Sequence, residues 1–193
     1  MLLTKEEVRS IFLDSGALMH GHFKLSSGRH SSEYWEKFWV LQYPDRVQLL
    51  CSEIARRFAL DNIEVVLGPT TGGILLAFEV ARQLGVRALY AETEGDKRAL
   101  RRGLQLAPNT RTLIVDDIMT TGLAVQECLD LAAIHQALVV GTAVLVDRSG
   151  GTVNLGTRQE ALLTIDVVSF DPSECPLCQS DAPITKPGSR KLS

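Results

Sequence analysis

The sequence predicts an α/β protein built on a central, mostly parallel sheet flanked by helices. Short β-branched and apolar runs at Ile63–Leu67, Arg87–Ala91, Leu113–Val115 and Leu138–Val146 have the character of strands covered on both faces. Helical patterns fall between them, and parallel strands require such crossovers. A chain of 193 residues with 45% hydrophobic content can bury one good core, so a single domain with an appended subdomain is expected.

Thr4 followed by Glu7 has capping-box spacing, and Val8, Ile11 and Phe12 then form an apolar stripe, so the chain opens with a helix ending near Gly16. Gly21 to Val40 mixes Gly, Ser, His and aromatics, and reads as short strands with a turn at Ser27–Gly28 that need not belong to the main sheet. Pro44 opens a helix that places Val47, Leu50, Cys51, Ile54, Ala55 and Phe58 on one face. The strand at Ile63–Leu67 leads into GPTTGG, Gly68–Gly73, and a helix from Ile74 to Leu84 closed by Gly85.

After the strand at Arg87–Ala91, the charged stretch Glu92–Gly103, ETEGDKRALRRG, breaks the alternation. Two readings stay open there, a solvated surface turn and a mobile lid whose cations meet a diphosphate. The helix after Thr121 carries Val125, Cys128, Leu129 and Ala132 on one face. The strand Leu138–Val146 ends at Asp147–Arg148, where open α/β sheets place their ligand groups. Leu162–Val168 reads as one further strand, and the Pro- and Ser-rich tail is expected to be irregular.

Composition narrows the function. A net charge of −3 and a pI near 5.8 argue against a nucleic-acid partner held by broad positive potential. No run approaches the roughly 18 apolar residues a membrane span needs, and the acidic N-terminus is unlike a signal peptide, so the cytoplasm is the expected compartment. Cys51 and Cys128 lie in apolar helical patterns and read as buried thiols. Cys175 and Cys178 form a lone CPLC. It supplies two ligands where a structural zinc site needs four, the others having to come from histidines or another subunit, and a compact turn is the preferred reading.

The most informative stretch is Thr112–Val125, TLIVDDIMTTGLAV, a strand, a loop and a helix start. Unpaired N–H groups at a helix N-terminus receive a phosphate well, Thr120 and Thr121 add hydroxyls, and Gly122 permits close backbone approach. Asp116 and Asp117 would repel a phosphate but suit neighbouring sugar hydroxyls or a developing positive charge. A sugar phosphate satisfies both halves of the loop. Spacing alone leaves equal room for a polar turn with a Thr N-cap.

VDDIMTTG resembles the phosphoribosyl pyrophosphate (PRPP) signature of the type I phosphoribosyltransferases. GHFKLSSGRHS at Gly21–Ser31, GPTTGG, LVDR at Leu145–Arg148 and the tail CPLC with KPGSR at Lys186–Arg190 resemble the orotate-using branch. The resemblance implies a type I phosphoribosyltransferase-like fold over 1–193, with residues 43–168 as the core and 1–42 plus the tail 169–193 as a hood. It implies Mg-dependent transfer of 5-phosphoribosyl from PRPP to orotate, giving orotidine 5′-monophosphate and pyrophosphate, by a homodimer whose lid reaches across the interface.

Carried over by position, Asp116 and Asp117 would contact ribose, while Ile118, Met119, Thr120, Thr121, Gly122, Leu123 and Ala124 would surround the 5-phosphate. Thr70, Thr71, Gly72 and Gly73 would receive pyrophosphate. Arg148, Thr120, Tyr34, Trp35 and Ser26 would hold orotate, and Lys97, Arg101 and Arg102 would be the catalytic lid cations. Magnesium would bind through PRPP, with no direct protein ligand. The departures are Ser26 and Gly72, where many members carry lysine, and a lid without histidine. Transfer to another base, and a catalytically weak PRPP-binding regulator, are the alternatives.

Overall fold

The computed structural model describes residues 3–25, 27–95, 97–166 and 168–186. Helix α1, Lys5–Asp14, begins with the expected capping box: the Glu7 N–H donates to Thr4 Oγ1 at 3.2 Å, and the Thr4 N–H to Glu7 Oε2 at 2.8 Å. Gly16 follows at φ 71°, a conformation favouring glycine. Strands β1, Leu18–Lys24, and β2, His30–Trp35, form an antiparallel hairpin around Gly28. The expectation of strands to Val40 is corrected by a short helix α2, Lys37–Leu41, which the Glu36 carboxylate caps by accepting from the Phe38 N–H.

Helix α3, Pro44–Arg57, buries the apolar stripe read from its spacing. Then come β3, Val65–Pro69, α4, Gly72–Leu84, β4, Arg87–Glu94, β5, Lys97–Ala99, β6, Arg111–Met119, α5, Leu123–Ile134, and β7, Leu138–Asp147. The last main-sheet strand, β8, is Gln159–Thr164, earlier than the 162–168 run suggested. The tail is also more ordered in pattern than its composition implies. A 3-10 turn at Pro172–Glu174 precedes α6, Pro176–Gln179, and β9, Ile184–Thr185, pairs with β1.

The main sheet has the order β5-β4-β3-β6-β7-β8, parallel except for the β4–β5 pair. Alternate residues of its strands serve opposite layers, as the two-residue repeat of a strand dictates. Val66, Leu113, Val115, Ala143 and Leu145 pack with α1, α3 and α4, whereas Val65, Leu67, Ile114 and Val144 pack with α5. Both faces are therefore covered, which is why these strands lack polar alternation. A smaller sheet, β2-β1-β9, stands apart from it. No helix among the described residues is long and apolar enough to cross a membrane.

The chain leaves β3 through α4 toward β4, and leaves β6 through α5 toward β7, in opposite directions along the sheet. The order reverses between β3 and β6, so the loops at their C-terminal ends diverge and leave a crevice where open α/β sheets bind ligands.

Candidate active site

The two loops at that crevice are GPTTGG and DDIMTTG. They touch through glycine. A Cβ placed on Gly72 would overlap Asp117 Oδ2 and lie 3.3 Å from Leu41 Cδ1; one on Gly73 would come within 2.7 Å of Pro69 Cδ and 3.3 Å of Asp116 Oδ1. Glycine is thus required where the pyrophosphate-type loop crosses the acidic pair, and a lysine side chain at residue 72 would displace Asp117. The Thr70–Thr71 peptide is cis, and the Thr70 N–H donates to the Ala91 carbonyl at 3.0 Å, anchoring this loop to β4.

Asp116 and Asp117 are both buried, at 7% and 1% exposure. Their carboxylates fold back on the backbone: the Asp117 N–H donates to Asp116 Oδ1 at 2.8 Å, and the Ile118 N–H to Asp117 Oδ1 at 2.6 Å. Hydrogen bonds from neutral N–H groups fix the carboxylates in orientation without cancelling their charge. Beyond them the chain turns through exposed Thr120 and Thr121 to Gly122, at φ 79°, where α5 begins with no side-chain cap. The Leu123 N–H donates to Thr121 Oγ1 at 3.4 Å, and the amides that follow it in the first turn of α5 lie at the positive end of the helix dipole, where an anion is well received. A cavity of about 290 Å³ opens here, lined by Asp116, the 118–125 turn, Arg98 and Glu127.

Arg98 is the residue that motif reading missed. Within β5, side chains alternate, so Lys97 and Ala99 face one way and Arg98 the other, inward. Its Nη1 donates to Thr70 Oγ1 at 2.8 Å and Thr93 Oγ1 at 3.2 Å, and its Nε to Glu127 Oε2 at 2.8 Å. One guanidinium therefore ties the GPTTGG loop to α5. The alternation of KRA beside β4 was the available signal.

The charged stretch 92–103, open to reading as a surface turn or a lid, forms the end of β4, β5 and a descending arm, with the β4–β5 hairpin turning at Gly95. Two of its cations are held by its own acids. Arg102 pairs with Glu92 at 3.0 Å, which raises the arginine's pKa, and Arg101 lies 3.8 Å from Glu94. Lys97 is exposed and has no ion pair among the described residues. The cations expected to serve a diphosphate are thus unequal: Arg101 and Arg102 would first have to leave their partners.

Arg148 stands at the end of β7. Its backbone N–H donates to the Met119 carbonyl at 2.8 Å, placing it beside the Thr120 turn. Its side chain is half-buried, and Nε is buried with no hydrogen-bond partner among the described residues. Burial lowers its pKa, opposed by the nearby Tyr34 phenol; burial and Glu36 in turn raise that of Tyr34, against the influence of Arg148. Neighbouring Asp147 is engaged elsewhere, accepting from the Ser149 N–H and hydroxyl at 2.8 and 2.7 Å and from the Gly151 N–H at 3.1 Å, so it shapes the loop, and Arg148 has no carboxylate partner among the described residues.

The pairing of Tyr34 and Trp35 as base contacts is corrected by strand geometry. Successive residues of β2 face opposite sides, and Trp35 is buried in the core with its ring 5.4 Å from Phe12. Only half-buried Tyr34, beside Phe23 at 5.7 Å, faces the Arg148 side. Ser26 lies outside the described residues.

Comparison with known proteins decides the family. The phosphoribosyl transferase domain model matches residues 42–168. Orotate phosphoribosyltransferase of Pelotomaculum thermopropionicum is 50% identical over 190 residues, covering 98% of this chain and 100% of that one. The chain belongs to the orotate phosphoribosyltransferase family. The enzyme of that name from Desulforamulus reducens is 47% identical over the same shares of the two chains. Among solved structures, orotate phosphoribosyltransferase from Aeropyrum pernix superimposes with a TM-score of 0.68 at 26% identity, covering 82% of this chain and 93% of that one. The matched domain includes both crevice loops and Arg148, while the full-length relatives of the orotate phosphoribosyltransferase family also span β1, β2 and the tail.

Proposed function

We propose that this chain catalyses transfer of the 5-phosphoribosyl group from PRPP to orotate, in the crevice between the β3–α4 and β6–α5 loops. The observation that carries the reading is Arg148, a buried guanidinium edge with no acidic partner among the described residues, beside a loop whose hydroxyls and helix-start amides suit a sugar phosphate. A planar fork of donors suits a carboxylate, and orotate has one; Tyr34 offers its face to the flat pyrimidine.

The 5-phosphate seats on the N-terminal amides of α5 and the Thr120 and Thr121 hydroxyls. Asp116 and Asp117 accept hydrogen bonds from the ribose hydroxyls. Thr70–Gly73 receive the diphosphate, with Arg98 holding that loop in place. The orotate nitrogen forms a bond to the anomeric carbon while the carbon–oxygen bond to diphosphate breaks, the electron pair leaving with pyrophosphate, and the proton from the nitrogen passes to water. Charge at the ring resembles an oxocarbenium ion, as in other glycosyl transfers, so no protein nucleophile is needed. The chain contributes position, an electrostatic setting prepared in advance and exclusion of water. Lys97 and, once released from Glu94 and Glu92, Arg101 and Arg102 meet the leaving group.

Magnesium fits this site as a passenger of PRPP. The cavity lining offers carboxylate and hydroxyl oxygens with neither thiolate nor imidazole, a set that suits a hard, hydrated cation. Its contribution when bound is to neutralise diphosphate charge. A homodimer completes the reading, supported by the exposed aromatic surface of Phe38, Trp39 and Phe78 on α2 and α4.

The test separates ribose from base. Asp116→Asn and Asp117→Asn should each raise the PRPP KM and lower kcat, with the orotate KM nearly unchanged and the fold intact by circular dichroism. Unaltered PRPP kinetics in both variants would remove the acidic pair from ribose binding.

A further inference from the structure

The chain has four histidines and four cysteines, and two of each converge on one point of the smaller sheet and the tail: His22, His30, Cys175 and Cys178. One ligand-type atom from each lies within 4.8 Å of all the others. The histidines come from β1 and β2, and the cysteines from the turn that opens α6, about 150 residues later in the chain. The CPLC segment folds tightly, with the Cys178 N–H donating to the Cys175 carbonyl at 3.1 Å, which brings the two thiols to one side.

We propose that these four side chains form a structural zinc site that fastens the tail to the β1–β2 hairpin. A tetrahedral zinc with bonds of about 2.3 Å to sulfur and 2.0–2.1 Å to nitrogen requires S···N separations near 3.5 Å and N···N near 3.3 Å. The observed separations are 3.6 Å for Cys175 Sγ to His22 Nε2, 3.7 Å for Cys178 Sγ to the same atom, 3.3 Å for Cys178 Sγ to His30 Nδ1, and 3.0 Å between the two ring nitrogens. Each falls within a few tenths of an ångström of the requirement.

The outer contacts prepare the ligands. His22 Nδ1 lies 2.8 Å from the Ala182 carbonyl, which can only accept, so Nδ1 carries the proton and Nε2 presents a lone pair to the cluster. The backbone at His22 is held by β9, where the Thr185 hydroxyl donates to the His22 main-chain carbonyl at 3.2 Å. His22, His30 and Cys175 are buried at 4%, 6% and 0% exposure, while Cys178 is exposed and provides the way in. A hydrogen bond between the two histidines would explain their 3.0 Å separation alone, but not the two thiols brought to the same point.

Binding balances charge as well as geometry. Zinc displaces one proton from each thiol, and two thiolates with two neutral imidazoles leave the buried site uncharged. Both zinc and its four ligands are then consumed by structure, with no open position for chemistry.

The experiment uses the untagged full-length chain purified without chelators. Elemental analysis should find one zinc per chain that survives dialysis. Replacement by Co(II) should give the ligand-field bands of a tetrahedral ion with a thiolate-to-cobalt charge-transfer band. Cys178→Ser, at the exposed position, should lose that band and the bound zinc, and chelation should lower the melting temperature of the wild type but not of the variant. Should the variant fold poorly, the wild-type cobalt spectrum decides by itself. Absence of retained zinc, a cobalt spectrum without thiolate character, full zinc content in Cys178→Ser, or a Cys175–Cys178 disulfide in anaerobically handled protein would each overturn the proposal.

Discussion

Replacing Arg148 with Met removes a guanidinium and keeps an unbranched chain of similar reach. A charge-assisted, two-pronged bond to a carboxylate contributes about 1.5–3 kcal/mol, which corresponds to a roughly 10- to 150-fold rise in the orotate KM. The PRPP KM should stay within about twofold, since the phosphate and ribose contacts lie on other residues. Stability should move the other way. Nε of Arg148 is buried without a hydrogen-bond partner among the described residues and burial lowers the group's pKa, so the folded state bears a desolvation cost. An unsatisfied donor of this kind costs about 1–3 kcal/mol, and a domain of this size gains about 2–4 °C in melting temperature per kcal/mol recovered. Initial-rate kinetics in both substrates, with a thermal melt on the same preparation, checks both halves. An equal rise in the two KM values would refute carboxylate recognition, and a fall in melting temperature would show that the guanidinium serves the fold.

Gly72→Ala should drive the Asp117 carboxylate from its seat and break its 2.6 Å bond to the Ile118 N–H, weakening PRPP binding about tenfold or more by calorimetry while orotate binding is spared. Arg98→Ala should free the Thr70 loop from α5 and lower kcat with PRPP about tenfold, whereas unchanged kinetics would show that the loop keeps its position unaided. Glu53, buried and bonded to Arg56 at 2.8 Å and Arg57 at 2.9 Å, has its pKa lowered from 4.5 to about 2 by those partners, chiefly Arg56, against its own burial. Its stabilisation is present above pH 4.5 and lost as pH falls toward 2, so Glu53→Gln should flatten that part of an acid-unfolding curve.

Regular elements were legible because each carried its own signal. The capping box at Thr4, Pro44 at the start of α3 and Gly85 at the end of α4, with φ 70°, all act within a few residues, and all appear where the spacing placed them. The crevice loops were legible for the same reason, since a strand, an acidic pair and a glycine-hinged helix start are local. What remained hidden depends on partners distant in sequence. Arg98 matters because folding brings Thr70 and Glu127 to it, and Trp35 differs from Tyr34 because β2 turns one to the core and the other away from it. CPLC pointed to histidines or another subunit for any further ligands without saying which, and the two histidines beside it come from a hairpin near the opposite end of the chain. Gly72 is explained only by Asp117.

The measurement that bears most directly on the account is a spectrophotometric assay of the purified chain with PRPP and magnesium, following loss of orotate absorbance beside uracil and hypoxanthine as alternative bases. The account predicts turnover with orotate, one pyrophosphate released per orotate consumed, and little reaction with uracil, which lacks the carboxylate that Arg148 would hold. Saturable PRPP binding with no pyrophosphate release for any base, or equal rates with orotate and uracil, would contradict it.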